Sequence, residues 1–345
     1  MISWYVRFAM AAHRTDRWQT VSFVSEALRG NPLGDPHERP LHVYVPRDTS
    51  RRYPCIYVLQ GMTGMADAWF NVEPWTPSYP DRIDTLAPDA VVVLVDAFTA
   101  VGGSQFLDSP AIGDYHTYLC DEIVPFVDAN FPTLAAREHR GLQGKSSGGY
   151  GAMITPLLRP DLFAGLATHA GDALFETCYG RDFAPAVRAL RDEYQGSWDA
   201  FWEDFRSGRP ILSKPTDEVL VNTYAMSAAY SARDDGTIDF PYDKETAELD
   251  PEVWARWLQF DPALLAREER HRETLRGMRA IWIDAGREDQ YHLDLGAIAF
   301  HREVVAAGVP EKRVRFDLFD GTHSGLTWRY PLSLAFLVEG LSSTL

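Results

Sequence analysis

Two runs, Ile56-Tyr57-Val58-Leu59 and Val91-Val92-Val93-Leu94-Val95, are apolar at every position. A strand with one wet face alternates, so an unbroken run predicts burial on both faces, as in a parallel sheet covered by helices. Further β-rich runs recur at Thr20 to Ala27, Leu41 to Val45, Cys55 to Leu59, Ala90 to Val95, Arg140 to Gln143, Phe163 to His169, Ala280 to Asp284 and Val314 to Phe319. Helical spacing alternates with them. Leu119, Ile123, Phe126 and Val127 share one face of Tyr115 to Asn130, and Leu293 to Ala307 shows the same pattern before a stop at Gly308. Strand then helix, repeated, predicts an α/β fold with a mostly parallel central sheet and helices on both faces.

The run Arg140 to Gln143 leads into Gly144-Lys145-Ser146-Ser147-Gly148-Gly149, and a helix-like stretch follows. A serine boxed by glycines between strand and helix has the form of a nucleophile elbow, in which small neighbours let the two elements approach closely. The alternative is a glycine-rich turn with an incidental serine. Pro156 predicts a kink or an early end in the following helix.

The chain has 345 residues, 46% of them hydrophobic, enough for a full core. The composition shifts between Asp172 and about Arg276, which predicts one domain with an insertion: a core of residues 1–171 and 277–345 and a cap of residues 172–276. Lys and Arg number 33 against 49 Asp and Glu, a balance of −16, which argues against nucleic acid, anionic membranes and polyanionic substrates. Cys55, Cys120 and Cys178 are odd in number and lack metal-site spacing, so no disulfide framework or zinc site is expected and a reducing cytoplasm is the expected location. The apolar run Phe8 to Ala12, broken off by Arg7 and His13, is too short for an export signal or a membrane span. A homo-oligomer stays open.

A serine hydroxyl needs a base, and in this fold the partners follow in the order serine, carboxylate, histidine. His323, in Gly321-Thr322-His323-Ser324-Gly325 after the last strand run, is the expected base. His292 and His301 fall in a predicted helix and His271 in a charged run, where solvated or packing roles are expected. Asp289 is the expected acid, in the loop after Ala280 to Asp284. Glu288 is its neighbouring alternative, Asp284 is read as structural, and Asp172 occupies the other position from which such an acid is supplied. The N–H of Ser147 is the expected first oxyanion donor and that of Met62, in Gln60-Gly61-Met62-Thr63-Gly64, the expected second, a plain glycine turn being the alternative reading of that segment. Lys145 is expected to point away from Ser146, and His169 to be a core histidine with a backbone partner.

At these residues the chain resembles the esterase D-like family of the α/β-hydrolase superfamily, which includes feruloyl esterases, S-formylglutathione hydrolases, enterochelin esterases and mycolyltransferases. The resemblance covers most of the chain through Tyr57 to Gly64, Gly102 to Phe106, Asp121 to Asp128, Gly144 to Met153, Arg159 to Phe163, Gly286 to Asp289 and Gly321 to His323. It implies Ser146 as nucleophile, Asp289 as acid, His323 as base, and the N–H groups of Met62 and Ser147 as oxyanion hole. Gln60 departs from the histidine that many members carry, and the insertion is longer than compact members need.

Aromatic residues crowd the insertion, which predicts a helical cap. Trp198, Trp202 and Tyr230 are expected to line an apolar pocket, with Gln60, Gly61 and Asp172 also at the substrate. The leading expectation is a serine carboxylesterase acting on a small to medium ester, with no metal or organic cofactor. Acyl transfer to an alcohol or amine through the same acyl-enzyme, and a catalytically inactive binding protein, are the alternatives.

Overall fold

The computed structural model describes residues 16–342, so the run Phe8 to Ala12 lies outside the described residues. Eight strands form the central sheet: β1 Trp18–Val24, β2 Glu38–Tyr44, β3 Cys55–Leu59, β4 Val91–Val95, β5 Arg140–Lys145, β6 Gly165–His169, β7 Ala280–Gly286 and β8 Val314–Phe319. Their order is β1-β2-β4-β3-β5-β6-β7-β8. Strand β2 runs antiparallel to β1 and β4, and every later pairing is parallel. This is the mixed α/β architecture of the α/β hydrolases, and it brings the carboxyl ends of β5, β6, β7 and β8 side by side.

The continuous apolar runs form the middle of the sheet. Tyr57, Leu59, Val91, Val93 and Val95 belong to the core on one face, and Ile56, Val58, Val92 and Leu94 to the core on the other. Such a side chain contributes roughly 1.5–3 kcal/mol when fully buried. The second face is closed by Tyr330, Leu334, Leu337 and Leu341 of helix Tyr330–Ser342. The first face carries helix Ser147–Leu158 and the helices between β6 and β7, whose apolar residues share its core. Among the described residues, no helix is long and apolar enough to cross a membrane.

Local expectations needed correction at a few points. The helix after Ser147 runs through Pro156 to Leu158, and Arg159 N–H still reaches Thr155 O at 2.8 Å. The predicted helix Tyr115 to Asn130 contains a π-helical stretch, Tyr118–Ile123, ahead of Val124–Asn130. His292 sits just before helix Leu293–Ala306 with φ 61° rather than within it, whereas His301, stacked on Phe316 at 4.1 Å, and the buried His271 hold the packing roles expected of them.

Candidate active site

Strand β5 ends at Lys145, and Ser146 turns the chain into the helix with φ 56° and ψ −127°. A non-glycine residue held there costs on the order of 1–3 kcal/mol. The turn is retained because Ser146 N–H donates to His169 O at 3.0 Å and Ala170 O at 3.1 Å, on the neighbouring strand end. It is also packed backbone to backbone. A Cβ on Gly144 would lie 2.2 Å from Gly148 O, and one on Gly148 would lie 2.2 Å from Leu59 O. Only hydrogen fits at either position.

His323 lies in the loop after β8 and Asp289 in the loop after β7. His323 Nδ1 meets Asp289 Oδ2 at 2.8 Å, and both residues are buried. The other Asp289 oxygen accepts from Tyr291 N–H at 2.9 Å, and Gln290 Oε1 accepts from His323 N–H at 3.1 Å. The Tyr291 ring packs edge-on against the imidazole, centroids 4.8 Å apart. With Nδ1 turned to a carboxylate, the imidazole has Nε2 left for another partner.

Ser146, His323, Met62, Ser147, Gly61 and Asp172 open onto one cleft of about 300 Å³. Ser147 is the first residue of its helix, where the N–H has no intrahelical acceptor. Among the described residues Met62 N–H donates to no protein group, whereas its neighbours are tied down, Thr63 N–H to Gly102 O at 2.7 Å and Gly64 N–H to Gly61 O at 3.0 Å. Two free donors therefore border the cleft that Ser146 faces.

Asp172 is buried in the cleft wall, where it accepts from Tyr179 OH at 2.9 Å and from Gln105 Nε2 at 3.1 Å. Its carboxyl is pushed above the usual range by burial, against the pull of those two donors. It makes no hydrogen bond to His323, which is held by Asp289. Asp172→Asn keeps an acceptor for both donors and removes the buried charge. A raised folded-state pKa means that the fold opposes ionisation, so the cost to stability is absent below the unfolded carboxyl range and full above the folded pKa. Asp172→Asn is therefore expected to raise the melting temperature at pH 7, with the gain vanishing as pH falls to about 4; thermal scans across pH check it.

Several residues expected at the substrate lie elsewhere. Trp198 stacks on Phe240, planes 7° apart, and Trp202 packs on Phe201 and Tyr224 with the Arg206 guanidinium 4.6 Å from its ring. Both lie outside the cleft because these aromatic side chains pack against one another. Tyr230 is buried behind the wall, its hydroxyl accepting from Gln105 Nε2 at 2.8 Å. Gln60 is buried and folded back towards Gly64, away from the cleft lining. His169 pairs with side chains rather than backbone: Nδ1 with Asp284 Oδ1 at 2.7 Å and Nε2 with Ser333 Oγ at 2.8 Å.

The cleft is also more polar than expected. Lys145, Glu218, Asn222 and Tyr291 also line it. Burial pulls the Lys145 ammonium down from its ordinary range, against the fields of Asp289 and Asp172. Glu218 and Asn222 stand one helical turn apart on helix Asp217–Ser231, with Val221 between them on the same wall, and Glu218 accepts from Tyr291 OH. That spacing was the only sign of them in the sequence.

A family model described as "Putative esterase" matches residues 36–337. Among solved structures, a ferulic acid esterase superposes with a TM-score of 0.58 at 18% identity, over 94% of this chain and 98% of that one. An S-formylglutathione hydrolase from Agrobacterium tumefaciens gives 0.57 at 17% identity, over 94% and 95%. The fluorophosphonate-binding serine hydrolase F of Staphylococcus aureus gives 0.56 at 14% identity, over 94% and 98%. At these identities the likeness is one of fold.

Proposed function

We propose, from the premise that this chain belongs to the esterase family just matched and is a carboxylic ester hydrolase, that it works through an acyl-enzyme on Ser146. The observation that carries this reading is the 2.8 Å contact between His323 Nδ1 and Asp289 Oδ2 at a cleft that Ser146 shares. With Nδ1 held by the carboxylate, His323 Nε2 takes the serine proton as Oγ attacks the ester carbonyl. The N–H groups of Met62 and Ser147 receive the developing oxyanion, and each such donor is worth about 3 kcal/mol in the transition state. The imidazolium returns its proton to the leaving alcohol. Water, deprotonated by the same His323, then attacks the acyl carbonyl and releases the acid and the free serine.

Every step uses protein groups alone, so the reading calls for no metal or organic cofactor. The acidic balance supports a small-molecule ester as partner, rather than nucleic acid or a membrane. Three buried, unpaired cysteines support a cytoplasmic setting.

The cleft's size and its polar wall support a short acyl group. Among p-nitrophenyl esters, acetate and butyrate are expected to exceed decanoate in kcat/KM by about tenfold or more. Equal kcat/KM along the series would contradict a preference for a short acyl group.

Asp289→Asn is expected to lower kcat by about 10²–10⁴-fold, because the amide no longer holds the imidazole in the productive tautomer. Asp172→Asn, which leaves the His323 contact intact, is expected to stay within about tenfold of wild type. Steady-state kinetics on the two variants separate the candidate acids, and the reverse order would move the role to Asp172.

A further inference from the structure

We infer that Arg329 is a positioning residue that sets the acid loop against the base loop. The inference rests on the serine-esterase reading, and it comes from a buried ionic cluster on the sheet face opposite the helix that follows Ser146. Arg329 is 3% exposed. Its Nε donates to Asp284 Oδ2 at 2.6 Å and its Nη2 to Asp317 Oδ2 at 2.6 Å. Asp284 lies in β7, five residues before Asp289, and Asp317 in β8, six before His323. One guanidinium therefore joins the bases of both loops.

It also closes the loop that carries the base. Asp317 and Arg329 stand twelve residues apart with His323 midway between them, and the guanidinium stacks 4.2 Å from the ring of Phe319, the last residue of β8. The connection continues towards the nucleophile. The second Asp284 oxygen pairs with His169 Nδ1, and the His169 carbonyl accepts from Ser146 N–H. A buried ion pair adds little net stability once desolvation is counted, so its larger consequence here is geometric. Displacing a reacting group by about 1 Å can cost roughly 10²-fold in rate. Lysine keeps the charge but cannot bridge two carboxylates with one planar fork.

The test compares wild type, Arg329→Lys, Asp317→Asn and the double variant, on p-nitrophenyl acetate. The rate is expressed per serine titrated by a fluorophosphonate probe, so that partly unfolded protein does not count. The expected result is a fall in kcat per titrated site of about 10–100-fold for Arg329→Lys, with KM within about twofold of wild type. A smaller fall is expected for Asp317→Asn, and the double variant should be no worse than Arg329→Lys. If Arg329→Lys does not fold, Asp317→Asn, which leaves the Asp284 contact in place at a half-buried position, decides alone. Wild-type kcat per titrated site in every folded variant would overturn the inference. An untitratable or inactive wild type would instead overturn the esterase reading on which it rests.

Discussion

Ser146→Ala is expected to lower ester turnover by about 10⁴-fold or more and to abolish labelling by a fluorophosphonate probe. The size of the effect follows from the division of labour in the site. Without the hydroxyl no acyl-enzyme forms, His323 has no serine proton to accept, and only ester binding and the two N–H donors remain to assist direct attack by water. The side chain is small and half-buried, so its loss should leave the melting temperature close to wild type. Alanine bears the same backbone strain at φ 56° as serine, since both carry a Cβ there. Kinetics and labelling on the same preparations check the result, and residual turnover within tenfold of wild type would remove Ser146 from the mechanism.

Gly148→Ala carries the largest expected structural effect. Its new methyl group would sit 2.2 Å from Leu59 O and 2.7 Å from Gln60 O, both backbone atoms at the end of β3. Neither can rotate away, so the helix must move off the sheet or the loop bearing Met62 must shift. A loss of on the order of 3 kcal/mol is expected, together with slower labelling of Ser146, because the Met62 N–H on the loop and the Ser147 N–H on the helix are moved apart. Gly180→Ala is the control, since a Cβ there meets nothing within 4 Å. Urea denaturation of the two variants reads the difference, and equal midpoints would contradict the close-packed elbow.

Much of this arrangement was legible in the chain itself because it depends on local rules. The two unbroken apolar runs predicted strands covered on both faces, and they form β3 and β4 at the centre of the sheet. The glycine-boxed Ser146 announced a tight turn, since only hydrogen at Gly144 and Gly148 permits the approach. His323 and Asp289 could be picked out because each follows a strand run in the order that the fold requires, and the structure brings their side chains into contact.

The cleft wall was decided elsewhere. Aromatic density in the insertion suggested a lining of Trp198, Trp202 and Tyr230, yet a side chain's neighbours across helices depend on how those helices cross, which spacing does not encode. These rings pack together or lie behind the wall, while Glu218, Asn222 and Tyr291 face the cleft.

Side-chain periodicity and backbone sterics within a few residues suffice for the strand order along the chain, the turn at Ser146, and the residues able to supply nucleophile, base and acid. Packing between elements chose which polar groups border the cleft, held Asp172 in its wall by Tyr179 and Gln105, and set Arg329 between Asp284 and Asp317. Those contacts join residues distant in the chain, and their partners are chosen by the packing of whole elements rather than by any local preference.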